Sequence, residues 1–109
     1  MNAPQTDIID AVYRVILDRK AQPDEKSYTA SLYAKGLDKI LGKIGEEATE
    51  LAVAGKGGVR KEIVSEAADV IFHMLVLLGH YGIEPQEIRD ELSRRFGTSG
   101  IAEKESRSK

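Results

Sequence analysis

Four acids in two short patterns, Glu47-Ala-Thr-Glu50 and Glu66-Ala-Ala-Asp69, are the residues of this sequence best placed to do chemistry. Within each pattern the carboxylates are spaced i, i+3. On a helix that spacing puts them about one turn apart, close enough to share a hard cation between their oxygens. A single such pair is commonplace on a solvated helix face, where it pairs with nearby lysines such as Lys43. Two pairs brought together are different, because converging carboxylates must either take up protons or be neutralised by a cation. The donors are all oxygen and the chain has no cysteine, so the ion expected at Glu47, Glu50, Glu66 and Asp69 is magnesium, with manganese as the other candidate and zinc disfavoured.

The elements that must hold these acids are helices. Leu37, Ile40, Leu41, Ile44, Ala48 and Leu51 follow helical spacing as far as Ala54, where Gly55, Gly57 and Gly58 end the run. A further stripe of Ile63, Ala67, Val70, Ile71, Met74, Leu75 and Leu78 predicts a helix from Lys61 to about Tyr81, ended by Gly79 and Gly82. The glycine turn between them makes an antiparallel hairpin. Measured from Ile40 around the first helix, Glu47 falls at about −20° and Glu50 at about −80°. Measured from Ile63 around the second, Glu66 falls at about −60°, His73 at about −80° and Asp69 at about −120°. All four acids thus flank the buried stripe. Counted from Gly57, they lie roughly 10 to 18 Å along the two helices, at matching depth.

Other helices complete an all-α reading. Asp7 caps a first helix carrying Ile8, Ile9, Val12, Val15, Ile16 and Leu17, which ends before Pro23. A polar loop rich in hydroxyls, Ser27, Tyr28, Thr29 and Ser31, leads to a short helical turn near Leu32. Pro85 starts a last helix that stops at Phe96-Gly97. Four to five helices around the central hairpin therefore make one domain over residues 1–109, with a polar and flexible tail from about residue 100. Composition excludes other classes. With 41% hydrophobic residues, no cysteine and a net charge of −2, the chain has no disulfide framework, no thiol nucleophile and no basic field for nucleic acid. The N-terminus carries no apolar signal core, and the run Val70 to Leu78 is too short to span a bilayer. A cytoplasmic protein without membrane attachment is expected.

Four separated segments also carry a family resemblance. Ser27 to Gly36 (SYTASLYAKG), Lys43 to Glu50 (KIGEEATE), Glu66 to Asp69 (EAAD) and Arg94 to Gly100 (RRFGTSG) resemble phosphoribosyl-ATP pyrophosphatases, within the all-α nucleoside triphosphate pyrophosphatase superfamily that includes MazG-like enzymes. The resemblance implies hydrolysis of phosphoribosyl-ATP to phosphoribosyl-AMP and pyrophosphate, the second step of histidine biosynthesis. It implies magnesium on Glu47, Glu50, Glu66 and Asp69, and a bundle completed by homodimerisation. In-line attack of water on a triphosphate requires oriented water and neutralised oxygens, so Glu47 or Glu50 is expected to position the water as well. Lys35, Lys39 and Lys43 recur every four residues along one helix edge, and Lys43 and Lys35 are candidates for phosphate contact. Ser27, Tyr28 and Thr29 are candidates from the preceding loop, as is Arg95 with Arg94 and the segment Gly97 to Gly100. His73, beside the stripe, fits either a supporting donor or a structural role. The competing readings are a housecleaning hydrolase of free nucleoside triphosphates or dUTP, and a non-catalytic helical dimerisation module.

Overall fold

The structure, a computed structural model, describes residues 7–97 as five helices, with no strand among them. These are α1 (Ile8–Ala21), α2 (Tyr28–Lys35), α3 (Leu37–Gly57), α4 (Arg60–Tyr81) and α5 (Pro85–Phe96). The expected flexible tail and the segment Thr98 to Gly100 lie outside the described residues. Helix α1 begins as its sequence predicts, with the Asp7 carboxylate accepting from the Ile9 amide and Arg19 and Lys20 in the last turn.

Helix α2 is longer than the turn expected near Leu32. The Ser27 hydroxyl accepts from the Ala30 amide at 3.1 Å, which starts the helix at Tyr28, and Thr29, Ala30 and Leu32 bury its inner face. Gly36, at φ 99°, then breaks the chain direction so that α3 starts afresh at Leu37. Lys35 therefore ends α2 and does not share an edge with Lys39 and Lys43. At its other end α3 runs past the expected stop at Ala54, through Gly55 and Gly57, to a left-handed cap at Gly58 (φ 77°). Glycines inside a helix cost roughly 1 kcal/mol each relative to alanine, and packing against α4 over the length of the hairpin offsets that.

Helix α4 ends at its left-handed cap Gly82, so Gly79 is not a terminator but an interior residue. A Cβ there would fall on the Tyr33 hydroxyl, with Ile16 and Leu17 also in contact. Glycine lets α1 and α2 sit against this last part of α4. The approach is used for hydrogen bonds: Tyr33 donates to the Val76 carbonyl at 2.6 Å, and the Lys20 ammonium donates to the Gly79 carbonyl at 3.0 Å. Burial pushes the Tyr33 phenol up to about 12, as expected for a hydroxyl committed as a neutral donor.

The core sits at this end of the hairpin, formed by Tyr13, Ile16, Leu32, Ile40, Leu75, Val76 and Leu78. Helix α5 is fastened beside it. Tyr13 donates to the Ile83 carbonyl at 2.6 Å, Arg14 pairs with Glu84 at 2.6 Å, and Arg89 reaches both Asp7 and Asp10 at 3.0 Å. The rest of the stripe is covered less than its pattern predicts. Leu41 and Ile71 are exposed, as are Val53, Val59 and Val64 around the hairpin tip, outside the core cluster. Helix α4 is long and apolar enough by length and composition to cross a bilayer. It carries Glu66, Asp69 and His73, however, and packs against α3 and α1 as the central helix of the fold.

Gly79→Ala should lower stability by about 1–2 kcal/mol, the overpacking cost exceeding the gain in helix propensity. Urea unfolding would measure this as a lower midpoint at unchanged slope.

Candidate metal centre

Midway along the hairpin, α3 and α4 turn three carboxylates toward one another. One oxygen each from Glu47, Glu66 and Asp69 lies within 4.8 Å of the others. The helical phases explain this: Glu47 points into the interface and is only 8% exposed, while Glu66 and Asp69 are partly buried on the facing edge. The Lys43 ammonium, one turn before Glu47, stands 3.4 Å from its carboxylate and 3.9 Å from Glu46. Burial would lower the pKa of Lys43, but the Tyr28 oxygen, Glu46 and Glu47 outweigh it and hold it above its ordinary value. One cation against three acids leaves the cluster negative.

Glu50 stands beside this trio and is not one of the three. Its pKa is raised, first by the Glu47 carboxylate and a hydrogen bond with it, then by burial and by Glu66. It lines an open cavity with Thr49, Val53, Ala54, Glu62 and Glu66. Glu66 is likewise raised, by burial first and then by Asp69, Glu47 and Glu62. Glu62 is thus an acid of the cleft that the paired patterns did not select, although its position one turn before Glu66 on the same helix was a usable signal.

Across the cleft mouth, the first turn of α2 brings Tyr28 to His73. The Tyr28 oxygen lies 2.9 Å from His73 Nε2, and His73 Nδ1 lies 2.8 Å from the Asp69 carbonyl. Tyr28 is half exposed, with its ring stacked on Phe72 and edge-on to His73. Ser27 is committed to capping α2 and Thr29 is buried, yet both line a second cavity with Tyr28, Arg19 and Lys26. Arg19 and Lys26 carried no spacing signal, since α1 and the loop after it meet α2 only in the folded chain. Lys35 and Lys39 are exposed and stand in neither cavity. Arg95 is 2.7 Å from Glu91 on its own helix, and Arg94 pairs with the same carboxylate. Hydrogen bonds from both arginines hold Glu91 down at about 2. Helix α5 packs on α1, so the structure does not bring Arg95 to the acids.

The cluster is suited to holding a divalent cation. Its donors are hard carboxylate oxygens, already gathered from two helices, and the raised pKa values of Glu66 and of neighbouring Glu50 follow from burial and from the negative charge crowded there. Comparison with known proteins identifies one family. A family model described as phosphoribosyl-ATP pyrophosphohydrolase matches residues 9–96. The chain is 71% identical to a phosphoribosyl-ATP pyrophosphatase of Geotalea daltonii over 101 residues, which covers 93% of this chain and 95% of that protein. A protein of the same name from Geobacter sulfurreducens is 67% identical, over 93% of this chain and 94% of its own. One from Methylococcus capsulatus is 52% identical, over 93% and 96%.

The raised acids make a prediction about the metal-free protein. A carboxyl group whose folded pKa exceeds its unfolded value binds its proton more tightly when folded, so its ionisation above that pKa opposes folding. Relief accumulates as pH falls from neutrality toward about 4.3, the ordinary value of glutamate. In EDTA, the melting temperature followed by circular dichroism should rise as pH falls from 7 toward about 4.3. Glu66→Gln should melt higher than the parent at pH 7 and show a flatter pH dependence.

Proposed function

This chain belongs to the phosphoribosyl-ATP pyrophosphohydrolase family, and from that membership and the carboxylate cleft we infer that it hydrolyses phosphoribosyl-ATP to phosphoribosyl-AMP and pyrophosphate in histidine biosynthesis. The observation that carries the reading is the meeting of Glu47, Glu66 and Asp69 between α3 and α4 in a chain so similar to enzymes of that name. We propose that these three hold magnesium, or manganese in its place, with Glu50 completing the set from the α3 side. When bound, the cation supplies Lewis-acid neutralisation of phosphate oxygens and acidifies coordinated water.

The chain's own residues account for the remaining tasks. Glu50, set to one side of the trio and raised in pKa by Glu47, is the acid best placed to orient and deprotonate the attacking water, because a base works best when its pKa approaches the working pH. Glu47 is the candidate that its spacing offers equally, and its pairing with Lys43 makes it the better permanent ligand. Lys43 is placed to neutralise a phosphate oxygen at the edge of the cluster. Ser27, Tyr28 and Thr29, with Arg19 and Lys26, line the neighbouring cavity of about 360 Å³ and are proposed to hold the sugar-phosphate end of the ligand. For Lys35 and Arg95, earlier candidates for phosphate contact, a role in a single chain is not supported by their positions. A soluble cytoplasmic enzyme with no membrane or nucleic-acid partner fits a small nucleotide substrate.

We further propose that a second copy of the chain covers the exposed part of the stripe, giving the homodimer that the family resemblance implies. The exposed Ile8, Ile71, Val53 and Val64 support this, together with an apolar groove lined by Ile9, Val12, Ala68, Phe72 and Leu75. Ile71→Arg should shift the species seen by sedimentation from two chains to one.

Glu47→Gln and Asp69→Asn should each lower magnesium-dependent pyrophosphate release from phosphoribosyl-ATP by about 100-fold or more, equivalent to about 2.7 kcal/mol of transition-state stabilisation, with helical content unchanged. Free ATP and dUTP should be poor substrates, and efficient cleavage of either would favour a housecleaning hydrolase instead.

A further inference from the structure

His73 is buried, only 5% exposed, yet it sits at the cleft and not in the apolar core at the base. Both ring nitrogens have partners. The Asp69 carbonyl, 2.8 Å from Nδ1, can only accept a hydrogen bond, so Nδ1 carries the proton. In the neutral ring Nε2 then offers a lone pair alone, and the Tyr28 hydroxyl at 2.9 Å must donate to it. That uses the only proton of the phenol. The Tyr28 oxygen keeps its remaining lone pair for a further donor.

Tyr28 is an unusual residue to be held in this way. A half-exposed tyrosine ring ordinarily gives up rotamer freedom for little burial, but here the stacking on Phe72 and the bond to His73 fix both its plane and its hydroxyl. The chain of hydrogen bonds runs from the Asp69 backbone through His73 to Tyr28, and so joins α4 beside the acids to the first turn of α2.

We infer that His73 is a positioning residue that fixes Tyr28 as a hydrogen-bond acceptor at the cleft mouth, where it receives a donor on the ligand, a sugar hydroxyl, and does not donate to a phosphate oxygen. The inference rests on the proposed contact between the α2 turn and the substrate, and it changes the chemistry of that contact. Phosphate oxygens offer no proton to a tyrosine whose own proton is spent, whereas a ribose carries hydroxyl donors. The phosphate is left to Lys43 and the cation.

The test has two arms. In the metal-free protein, 15N spectra of labelled imidazole should show His73 protonated at Nδ1 and bare at Nε2, and Tyr28→Phe should shift the Nε2 resonance by removing its donor. In steady-state kinetics, Tyr28→Phe should raise KM by about 5- to 10-fold with kcat little changed, the loss expected of one hydrogen bond used equally in ground and transition states. His73→Gln should do the same, and the double variant should be no worse than the poorer single one. A proton on Nε2 in the parent, an unmoved Nε2 resonance in Tyr28→Phe, or KM effects that multiply in the double variant would each overturn the inference. Tyr28→Phe, altered only at a half-exposed ring, keeps the test open should His73→Gln fail to fold. An inactive parent protein would count against the hydrolase reading, while the tautomer, measured without metal or substrate, still decides the role of His73.

Discussion

Like charges do not share a helix interface without something to hold them there, and the fold is arranged around that constraint. Glu47, Glu66 and Asp69 meet between α3 and α4. Their repulsion is resisted from both ends of the hairpin. At the tip, the left-handed turn at Gly58 keeps α3 and α4 covalently close. At the base, Ile40 of α3 and Leu75, Val76 and Leu78 of α4 are clamped by Tyr13, Ile16 and Leu32. The site lies between two fastenings and is free to carry charge that neither end could tolerate.

The base achieves this with polar contacts as much as with apolar area. Tyr13, Tyr33 and Lys20 each bring a long side chain to a backbone carbonyl near the end of α4 or just past it, and the Gly79 carbonyl that Lys20 reaches lies in the last turn, where helical carbonyls run short of partners. Among the described residues no buried side-chain polar atom is left unpaired. The ion pairs of Arg14 and Arg89 are partly exposed and weak individually. Their service is to register α5 against α1 and leave the cleft side of the hairpin open.

Much of this was legible from residue types and spacing. The antiparallel hairpin follows from two apolar stripes around a glycine cluster, and the burial of Glu47 follows from its phase beside Ile40. The glycines were harder to read. Gly55, Gly57 and Gly79 look alike as helix breakers, but α3 continues through the first two and α4 through the third. Gly55 and Gly57 are exposed with open space around them, and the helix carries their propensity cost of about 1 kcal/mol each, whereas for Gly79 the missing side chain is the reason the neighbour fits. Lys35 was read one helix too far because a single positive-φ glycine, Gly36, separates it from the lysines that share its spacing.

The sequence by itself determined what depends on position along one helix: the pairing of acids at i, i+3, their side of the stripe and their depth from the turn. Tertiary structure decided which residues meet across elements. Glu50 stands beside the trio, Arg95 is engaged with Glu91, and Tyr28 is hydrogen-bonded to a histidine 45 residues away. The physical reason is one of range. Helical periodicity is set by the backbone within a few residues, whereas a hydrogen bond between α2 and α4 exists only once the core has brought those helices together. The four acids marked a candidate cation site, and the folded chain sorted them into three that converge and one that stands beside them.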